Sequence, residues 1–574
     1  KLIRKYKKLT EEASIKMEVE KQANSTKRWI EMTSEAAENP RFDKGKQPEL
    51  IDTDKVVDPK MKEAIGDLRN DPIIKLTRWE SFRQRFRDKM LGMGKVQDYA
   101  TNGKRLPDEI DVVLQESLYH KRVEGQVAQF YKEQFKPIFD KLKSSNEYSG
   151  SHLRKESNQI LWFEHAPEYN KKLGDGAAGV TTKEAEVKLA ELKKSKSYQQ
   201  SKEVADLLRK VSNDLPKYLL DNELISKEML ESWAKNYSKH VSLQRILPGD
   251  TDFGNVLGTG RGYDVRGHEI KRAKGSDLEV ADIFENTALN WERSIRRANK
   301  NKVANAVLGF MKEFPDIKLF EKVKGDLHTI KVDGKEKVIT VPPGKGDIIT
   351  AKVDGKSVYM KINDKRLAKT MSKMSTLESN AFIKYLGPAT RFISAINTRF
   401  NPEFVFTNFF KDVQAGSLNL VEELGVKGSA KASASVVFAQ KGIWDFMRGK
   451  SGKWADLYKE LQLEGGTTGY FKARTRDEIG VLFKEMEGQF SGGALGMPIR
   501  AGKKIIKGID AMNEVVENGM RLASYDGALK AGYSKQRAAK LAKESTVNFN
   551  KSGEWGSTLN SLYAFSNSSI QGSF

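Results

Sequence analysis

From residue 108 to 240, apolar side chains return every three to four positions, the period of a helix packed by one face. A chain with that period changes secondary structure only where the period breaks, and it breaks most clearly at one place. The pentapeptide KVDGK occurs at 331–335 and again at 352–356, each time inside an alternating run, HTIKVDGKEKVITV and DIITAKVDGKSVYMKI. Asp-Gly between alternating runs is the strongest short-range hairpin signal, because both turn positions take positive φ. Two hairpins joined by PPGKG (342–346) then form a β-subdomain between helical bodies. The expected fold is mainly α: multi-helical, elongated domains with one small inserted antiparallel β-subdomain. The expected divisions are a helical region with basic amphipathic helices (1–215) and a helical region with a basic Gly-rich loop (216–316). The hairpin subdomain (317–365) and a second helical domain (366–574) follow.

Local signals refine this outline. In LGDGAAGVTTKE (173–184), Gly174, Gly176 and Gly179 make a loop, and Thr181 or Thr182 caps the next helix. Residues 503–531 read as one helix with Ile505, Ile506, Ile509, Met512, Val516 and Met520 inward. Glu517 precedes Arg521 by one turn, the order that favours an ion pair. Gly532 ends that helix and Ser534 starts the next. The stretch RFNPEFVFTNFFKDVQAG (399–416) is aromatic but falls well short of the roughly 20 apolar residues a membrane span needs. It reads as a helix with Asn401 as its cap and Pro402 in its first turn. Val405, Phe406, Phe409, Phe410 and Val413 share a face, with Asn408 and Asp412 as a polar seam on its flank. The helix belongs to a large core; the seam serves either packing or function.

Lys and Arg number 99 against 77 Asp and Glu, a net charge of +22. Such a surplus suits phosphate backbones or anionic membrane surfaces and is silent about fold. The densest basic patch is NWERSIRRANKNKV (290–303), which sets Arg293, Arg296, Arg297, Lys300 and Lys302 on a helix expected to start near Asn290. The Gly-rich loop before it adds Arg261, Arg266, Lys271, Arg272 and Lys274. These ten residues are candidates for phosphate contact, the alternative being a solvated helix face. In LTRWESFRQRFRDKM (76–90), Trp79, Phe82, Phe86 and Met90 recur at helical spacing with arginines opposite, and residues 1–9 are similarly amphipathic. Such helices either pack a core or lie along an anionic surface.

Candidate chemistry is sparse. There is no cysteine, which excludes disulfides, thiolate nucleophiles and cysteine-ligated metals. The six histidines stand at 120, 152, 165, 240, 268 and 328, none at helical spacing from another. WFEHAPEY (162–169) lacks the His-Glu-x-x-His pattern, so His165 reads as a surface or capping residue. Gly258, Gly260 and Gly262 do not fit dinucleotide spacing, and no Gly-x-Ser-x-Gly elbow occurs. No catalytic residue, metal or cofactor is expected for this segment.

Three stretches resemble a family: RFNPEFVFTNFFKDVQAG, NEVVENGMRLASYDGALKAGYSKQRAAKLAKESTVNF (513–549) and YAFSNSSIQGSF (563–574). They are similar to a domain of large polyvalent phage proteins that recurs in internal virion, or ejection, proteins of short-tailed bacteriophages. The matching positions are Arg399, Asn401, Pro402, Asn408, Asp412, Glu517, Asn518, Arg521, Phe549, Asn567, Gln571 and Gly572. Upstream, YDVRGHEIKRAKGSDLEVADIFEN and the Arg-rich helix are similar to the family's preceding segment, so the resemblance spans about 220–574. YSKHVSLQRILPGD departs from it by lacking a Tyr-x-Pro-like segment, and FSNSSIQG by its serines. The resemblance implies a non-catalytic segment packaged in the capsid interior and ejected to help form a conduit for genome delivery across the envelope. It would then reside in the host periplasm and inner membrane. The implied partners are phage DNA, other internal or ejection proteins, portal or tail components, the inner-membrane surface, and further copies in a homo-oligomeric ring or tube. The alternative is the non-catalytic part of a co-injected nucleic-acid enzyme, a virion RNA polymerase or anti-restriction protein. A plain DNA-binding scaffold is a third reading. The chain opens on Lys1 and stops at Phe574, and is expected to be an internal piece of a longer polypeptide carrying a transglycosylase or polymerase module elsewhere.

Overall fold

The computed structural model describes residues 76–236, 238–244, 262–267, 280–332, 335–341, 347–373, 402–467, 479, 483, 514–546, 551 and 553–554. The chain is mainly helical with a small inserted antiparallel β-subdomain, as its two periods predict. It divides into two units, each assembled from separate stretches. One joins Met93–Glu378 to Tyr470–Ala501; the other joins Lys1–Gly92 to Ser379–Gly469 and Gly502–Phe574. In chain order the first helices are α1 (Arg78–Phe86), α2 (Leu91–Thr101), α3 (Val112–Phe130), α4 (Lys136–Ser144), α5 (Gly150–Leu173) and α6 (Thr182–Leu192). Next come α7 (Tyr198–Asp221), α8 (Lys227–Asn236) and the 31-residue α9 (Ile283–Glu313). The strands are β1 (Phe320–Val323), β2 (Asp326–Val332), β3 (Lys335–Val341), β4 (Ile348–Val353) and β5 (Lys356–Ile362). After them run α10 (Lys365–Lys373), α11 (Pro402–Ala434), α12 (Val436–Met447), α13 (Lys453–Glu464), α14 (514–530) and α15 (Lys535–Ser545).

The second KVDGK behaves as its sequence demands. Val353 pairs with Lys356, leaving Asp354 and Gly355 at φ 49° and 71° as the two-residue turn. In the first repeat Val332 pairs with Lys335, and the two turn residues lie outside those described, as does the 342–346 connection. The hairpins enter different sheets. β2 and β3 form a two-stranded ribbon, while β5 sits between β4 and β1. Strand β1 was not anticipated: its four residues, Phe-Glu-Lys-Val, carry no turn signal. The β4–β5 turn also seats against the end of α7. The Gly355 amide donates to the Glu223 carbonyl at 2.9 Å, and a Cβ on Gly355 would lie 2.5 Å from the Ser226 nitrogen.

The centre of the first unit is α9. Asp282 caps it, accepting from the Glu285 amide at 3.1 Å, so it begins at Ile283 rather than near Asn290. Phe284, Ala288, Ile295, Ala298, Val303, Val307 and Phe310 are all buried along it. Trp291 stacks on Phe130 at a centroid distance of 5.0 Å and donates its indole N–H to the Val211 carbonyl at 2.9 Å. Phe310 meets Phe320 of β1 edge-on at 6.5 Å. The 3₁₀ turn at Asp108–Ile110 comes so close that a Cβ on Gly309 would lie 2.4 Å from Ile110. At the loop before α6, Gly174, Gly176 and Gly179 take positive φ, and Thr181 and Glu184 form a capping box.

The second unit packs helices through small residues. A Cβ on Gly416 of α11 would lie 2.7 Å from Met520, one on Gly442 of α12 2.2 Å from Trp454, and one on Gly519 of α14 2.6 Å from Gln440. The helix that starts at Pro402 does not stop near Gly416. It continues to Gly425, where φ is 69°. A second helical stretch then runs to Ala434 folded back on the first, with the Ser429 hydroxyl donating to the Ser417 carbonyl at 2.5 Å and the Ser417 and Ser433 hydroxyls meeting at 2.5 Å. Val516 and Met520 face inward, Gly532 closes α14 at φ 87°, and the Ser534 hydroxyl caps α15 by accepting from the Arg537 amide at 3.2 Å. At α1, Thr77 and Glu80 form a capping box, and Trp79, Phe82 and Phe86 make a ladder with centroid distances of 5.5 and 4.7 Å. Met90, expected on the same helix, lies beyond its end and is buried.

Candidate functional site

The basic patch does not act as one surface. At about 100° per residue, Arg293, Arg296, Arg297 and Lys300 share a face of α9, while Lys302 falls roughly opposite. Because α9 is packed on several sides, that shared face turns partly inward. Arg297 is 1% exposed and Lys300 3%, Arg293 and Arg296 are half-buried, and Lys302 is exposed. Phosphate contact therefore remains open to Arg293, Arg296 and Lys302, and is closed to Arg297 and Lys300 in this conformation. The Arg297 guanidinium donates to the Arg266 carbonyl at 2.9 Å. Arg266 itself pairs with Asp264. Arg261, Lys271, Arg272 and Lys274 lie outside the described residues.

Lys300 has unusual surroundings for a lysine. Burial, with Arg296 and Arg297 beside it, pushes its ammonium down to about 7, and Asp264 pulls the other way. Across the same face, Tyr119 and Tyr263 meet edge-on at 5.1 Å, and the Tyr263 hydroxyl donates to Glu116 at 3.3 Å. Burial pushes the Tyr119 phenol up to about 12, against the pull of Arg296. Nearby polar side chains of α9 bind protein groups. The Tyr131 hydroxyl donates to Glu292 at 2.9 Å, and Asn299 donates to Gln126 at 2.7 Å. Tyr131 opens a π-helical turn, Tyr131–Phe135, where α3 gives way to α4.

The histidine reading needs correction. His165 is fully buried, and its ring meets His240 edge-on at 5.2 Å, although the two are far apart in sequence. Proximity was invisible because it arises from the segment after α8 folding back over α5. Trp233 lies 4.9 Å from His240 and Tyr169 5.6 Å from His165. Glu168, 3.8 Å from His165, accepts from the amides of Ser238 and Lys239 at 3.2 and 3.1 Å. Burial lowers His165 to about 4, against the pull of Glu168; burial and the neighbouring His165 lower His240 to about 3. Both rings are neutral at pH 7.

A second constellation escaped notice: His152 Nε2 and Glu156 Oε2 converge on the Ser197 hydroxyl, at 3.0 and 2.6 Å. In a nucleophilic triad the acid binds the far imidazole nitrogen and the serine faces substrate. Here both groups contact the serine oxygen, and Ser197 is 1% exposed. Glu156 also accepts from Ser201 at 2.5 Å, so the arrangement fixes the start of α7 against α5. Among the described residues no group of His, Asp or Glu could hold a metal ion, and no helix is long and apolar enough to cross a membrane.

Of the motif positions, Asn518 and Arg521 are buried on α14. Arg521 donates to the Glu517 carbonyl at 3.0 Å and carboxylate at 3.3 Å. The Pro402 backbone opens α11; the side chains of Asn408 and Asp412, and residues Arg399, Asn401, Phe549, Asn567, Gln571 and Gly572, lie outside those described. Gly416, quoted within the motif but given no role, is the close contact with Met520. Comparison of the chain with protein-family models, curated proteins and solved structures returns no match.

Proposed function

We propose that this chain is a segment of a phage internal virion protein, carried in the capsid with the DNA and delivered into the host to help build the conduit for genome entry. The observation that carries the reading is the linear pattern itself: the three motif stretches, in order, over the C-terminal part of the chain. Two features support it. The +22 charge suits a neighbour of packed DNA. Arg293, Arg296 and Lys302 retain accessible cationic surface for sequence-independent phosphate contact. The segment is proposed to have no catalytic role. Lack of cysteine would also help a protein that refolds in an oxidising periplasm, where stray thiols form wrong disulfides.

Mass spectrometry of purified particles, and of host envelope fractions soon after infection, tests the proposal. The chain is expected in both. Its presence in infected cytoplasm and absence from particles would overturn delivery and favour a replication or anti-restriction role.

A further inference from the structure

The segment Ser238–Gln244, which follows α8, lies over α5 in neither helix nor strand. Its ends are tied by polar contacts. The Ser238 and Lys239 amides donate to Glu168, and the Ser242 carbonyl accepts from Asn286 at 3.2 Å. The Gln244 carbonyl accepts from the Ala281 amide at 2.9 Å, and its side chain donates to Asn290 at 3.2 Å. Between these ties Val241 is buried, and Leu243 packs on the apolar cluster that includes Phe163, Ala166 and Tyr169. The His240 ring stands edge-on to His165 and beside Trp233. Helices α5 and α7 hold each other without this segment, through the Ser157 hydroxyl on the Ser201 carbonyl and Arg209 on Glu164. A short irregular stretch laid on an independently packed helix pair can open locally at low cost.

We propose that Ser238–Gln244 is an acid-released strap: one opening lets both rings of the His165–His240 pair take up protons, while α5 and α7 stay folded beneath it. Two imidazolium rings 5.2 Å apart repel each other, and enclosure strips them of hydration. The charged groups facing the pair are Glu168 of α5, which favours the protonated rings, and Arg209 of α7, which opposes protonation of His165. The neighbour from α8, Trp233, is uncharged, as are Asn286 and Asn290 of α9, and Lys239 on the strap is exposed. Burial outweighs Glu168, so the closed rings titrate at about 4 and about 3 against an ordinary 6.5. An open strap returns both rings to water. Below pH 6.5 the open form therefore binds two protons that the closed form refuses, and the open-to-closed ratio climbs toward a hundredfold per pH unit. From pH 7 to pH 5 the rise is about 500-fold. Glu168 adds to it at lower pH, because opening removes the hydrogen bonds that, against burial, hold its carboxyl low. The inference is independent of the delivery reading, since it uses only these contacts.

The test is hydrogen–deuterium exchange of the full chain, read by mass spectrometry from pH 7 to pH 4.5 and corrected for the intrinsic pH dependence of exchange. Opening of peptides covering 238–244 is expected to increase about 500-fold between pH 7 and pH 5, while peptides covering 204–212 of α7 stay protected. His165→Phe and His240→Phe each keep an uncharged ring in place. Each is expected to bring the logarithmic slope down to about half, and the two together to abolish it above pH 5. The wild-type measurement decides the matter even where a variant fails to fold. Strap opening that does not vary with pH, exchange of the strap and α7 in step, or a folded double variant with the wild-type slope would each overturn the proposal.

Discussion

Asn301 completes the edge of a sheet to which it does not belong: its amide donates to the Lys352 carbonyl at 2.8 Å and accepts from the Lys352 amide at 2.7 Å. Strand β4 is the outer strand of its sheet, so every second residue points its backbone groups away from β5. At Thr350 those groups meet the 263–265 segment: the carbonyl accepts from the Val265 amide at 3.0 Å, and the amide donates to Asp264 at 3.0 Å. At Lys352 they meet Asn301 of α9. The helix and the strand edge are thus joined by side-chain-to-backbone hydrogen bonds as well as by apolar contact.

Asn301→Ala should therefore destabilise the unit more than its size suggests. The Lys352 amide would be buried without an acceptor, a loss of about 1–3 kcal/mol. The carbonyl would keep Asn305, which also donates to it at 3.2 Å, so Asn301→Ala/Asn305→Ala should cost more than Asn301→Ala alone. Urea denaturation measures both; a change below about 0.5 kcal/mol for the single variant would refute the role.

Two glycines of similar φ should respond differently to alanine. At Gly425, where φ is 69° and ψ 170°, an added Cβ would meet nothing within 4 Å, so Gly425→Ala incurs only backbone strain of about 1–3 kcal/mol. Gly355, at φ 71°, adds a collision with the Ile225–Ser226 backbone. Gly355→Ala should be clearly the more destabilising in thermal unfolding. Equal effects would mean the turn does not seat against α7.

Acid should weaken the unit that holds His165. Its folded pKa is about 4 against an ordinary 6.5, so below pH 6.5 the unfolded chain binds the proton that the folded chain refuses. Stability from this group is full above pH 6.5 and lost as pH falls toward 4, at about 1.4 kcal/mol per unit. His240, lowered further, acts in the same direction; the Glu168 charge tempers both shifts, while its own carboxyl, held low against burial by the Ser238 and Lys239 hydrogen bonds, also loses stability in acid. His165→Phe should flatten this part of the stability–pH curve, as followed by chemical denaturation. A variant with the wild-type slope would remove His165 from the acid response.

Duplex-DNA affinity should depend on which basic residues remain accessible. Arg293→Ala/Arg296→Ala, on one face, is expected to flatten the log–log salt slope by up to about 1.8, at roughly 0.9 for each phosphate no longer neutralised. Lys300→Met should leave the slope unchanged. It should also raise stability near pH 7, with the gain fading toward pH 10.5, because the buried folded-state ammonium gives up its proton at about 7. Anisotropy titrations at several salt concentrations separate the two groups. A slope unaffected by the double variant would take this face of α9 out of DNA binding.

The sequence made visible whatever depends on neighbours along the chain. Asp354-Gly355 specified a turn, Thr181 a cap, and Gly532 with Ser534 a helix end and start, because each acts within a few residues. What depends on burial from afar was hidden. Arg297 and Lys302 look alike in sequence, yet one is enclosed and the other exposed. The His165–His240 pair and the hold of Asn301 on Lys352 join segments whose meeting no local pattern encodes. β1 was missed for the converse reason: four residues are too few to show alternation, and pairing with β5 makes them a strand.

One consequence concerns the order in which the molecule can be completed. Gln84 donates to Glu554 at 2.9 Å, Lys551 pairs with Asp88 at 3.1 Å, and the Gly553 amide donates to the Phe86 carbonyl at 3.3 Å. The partners of α1 thus leave the ribosome only after the whole of Met93–Glu378 has emerged. The interrupting stretch can mature while α1 still waits for these contacts. A stop codon placed before Lys551 would leave that early helix without these three contacts, however well the intervening residues had folded.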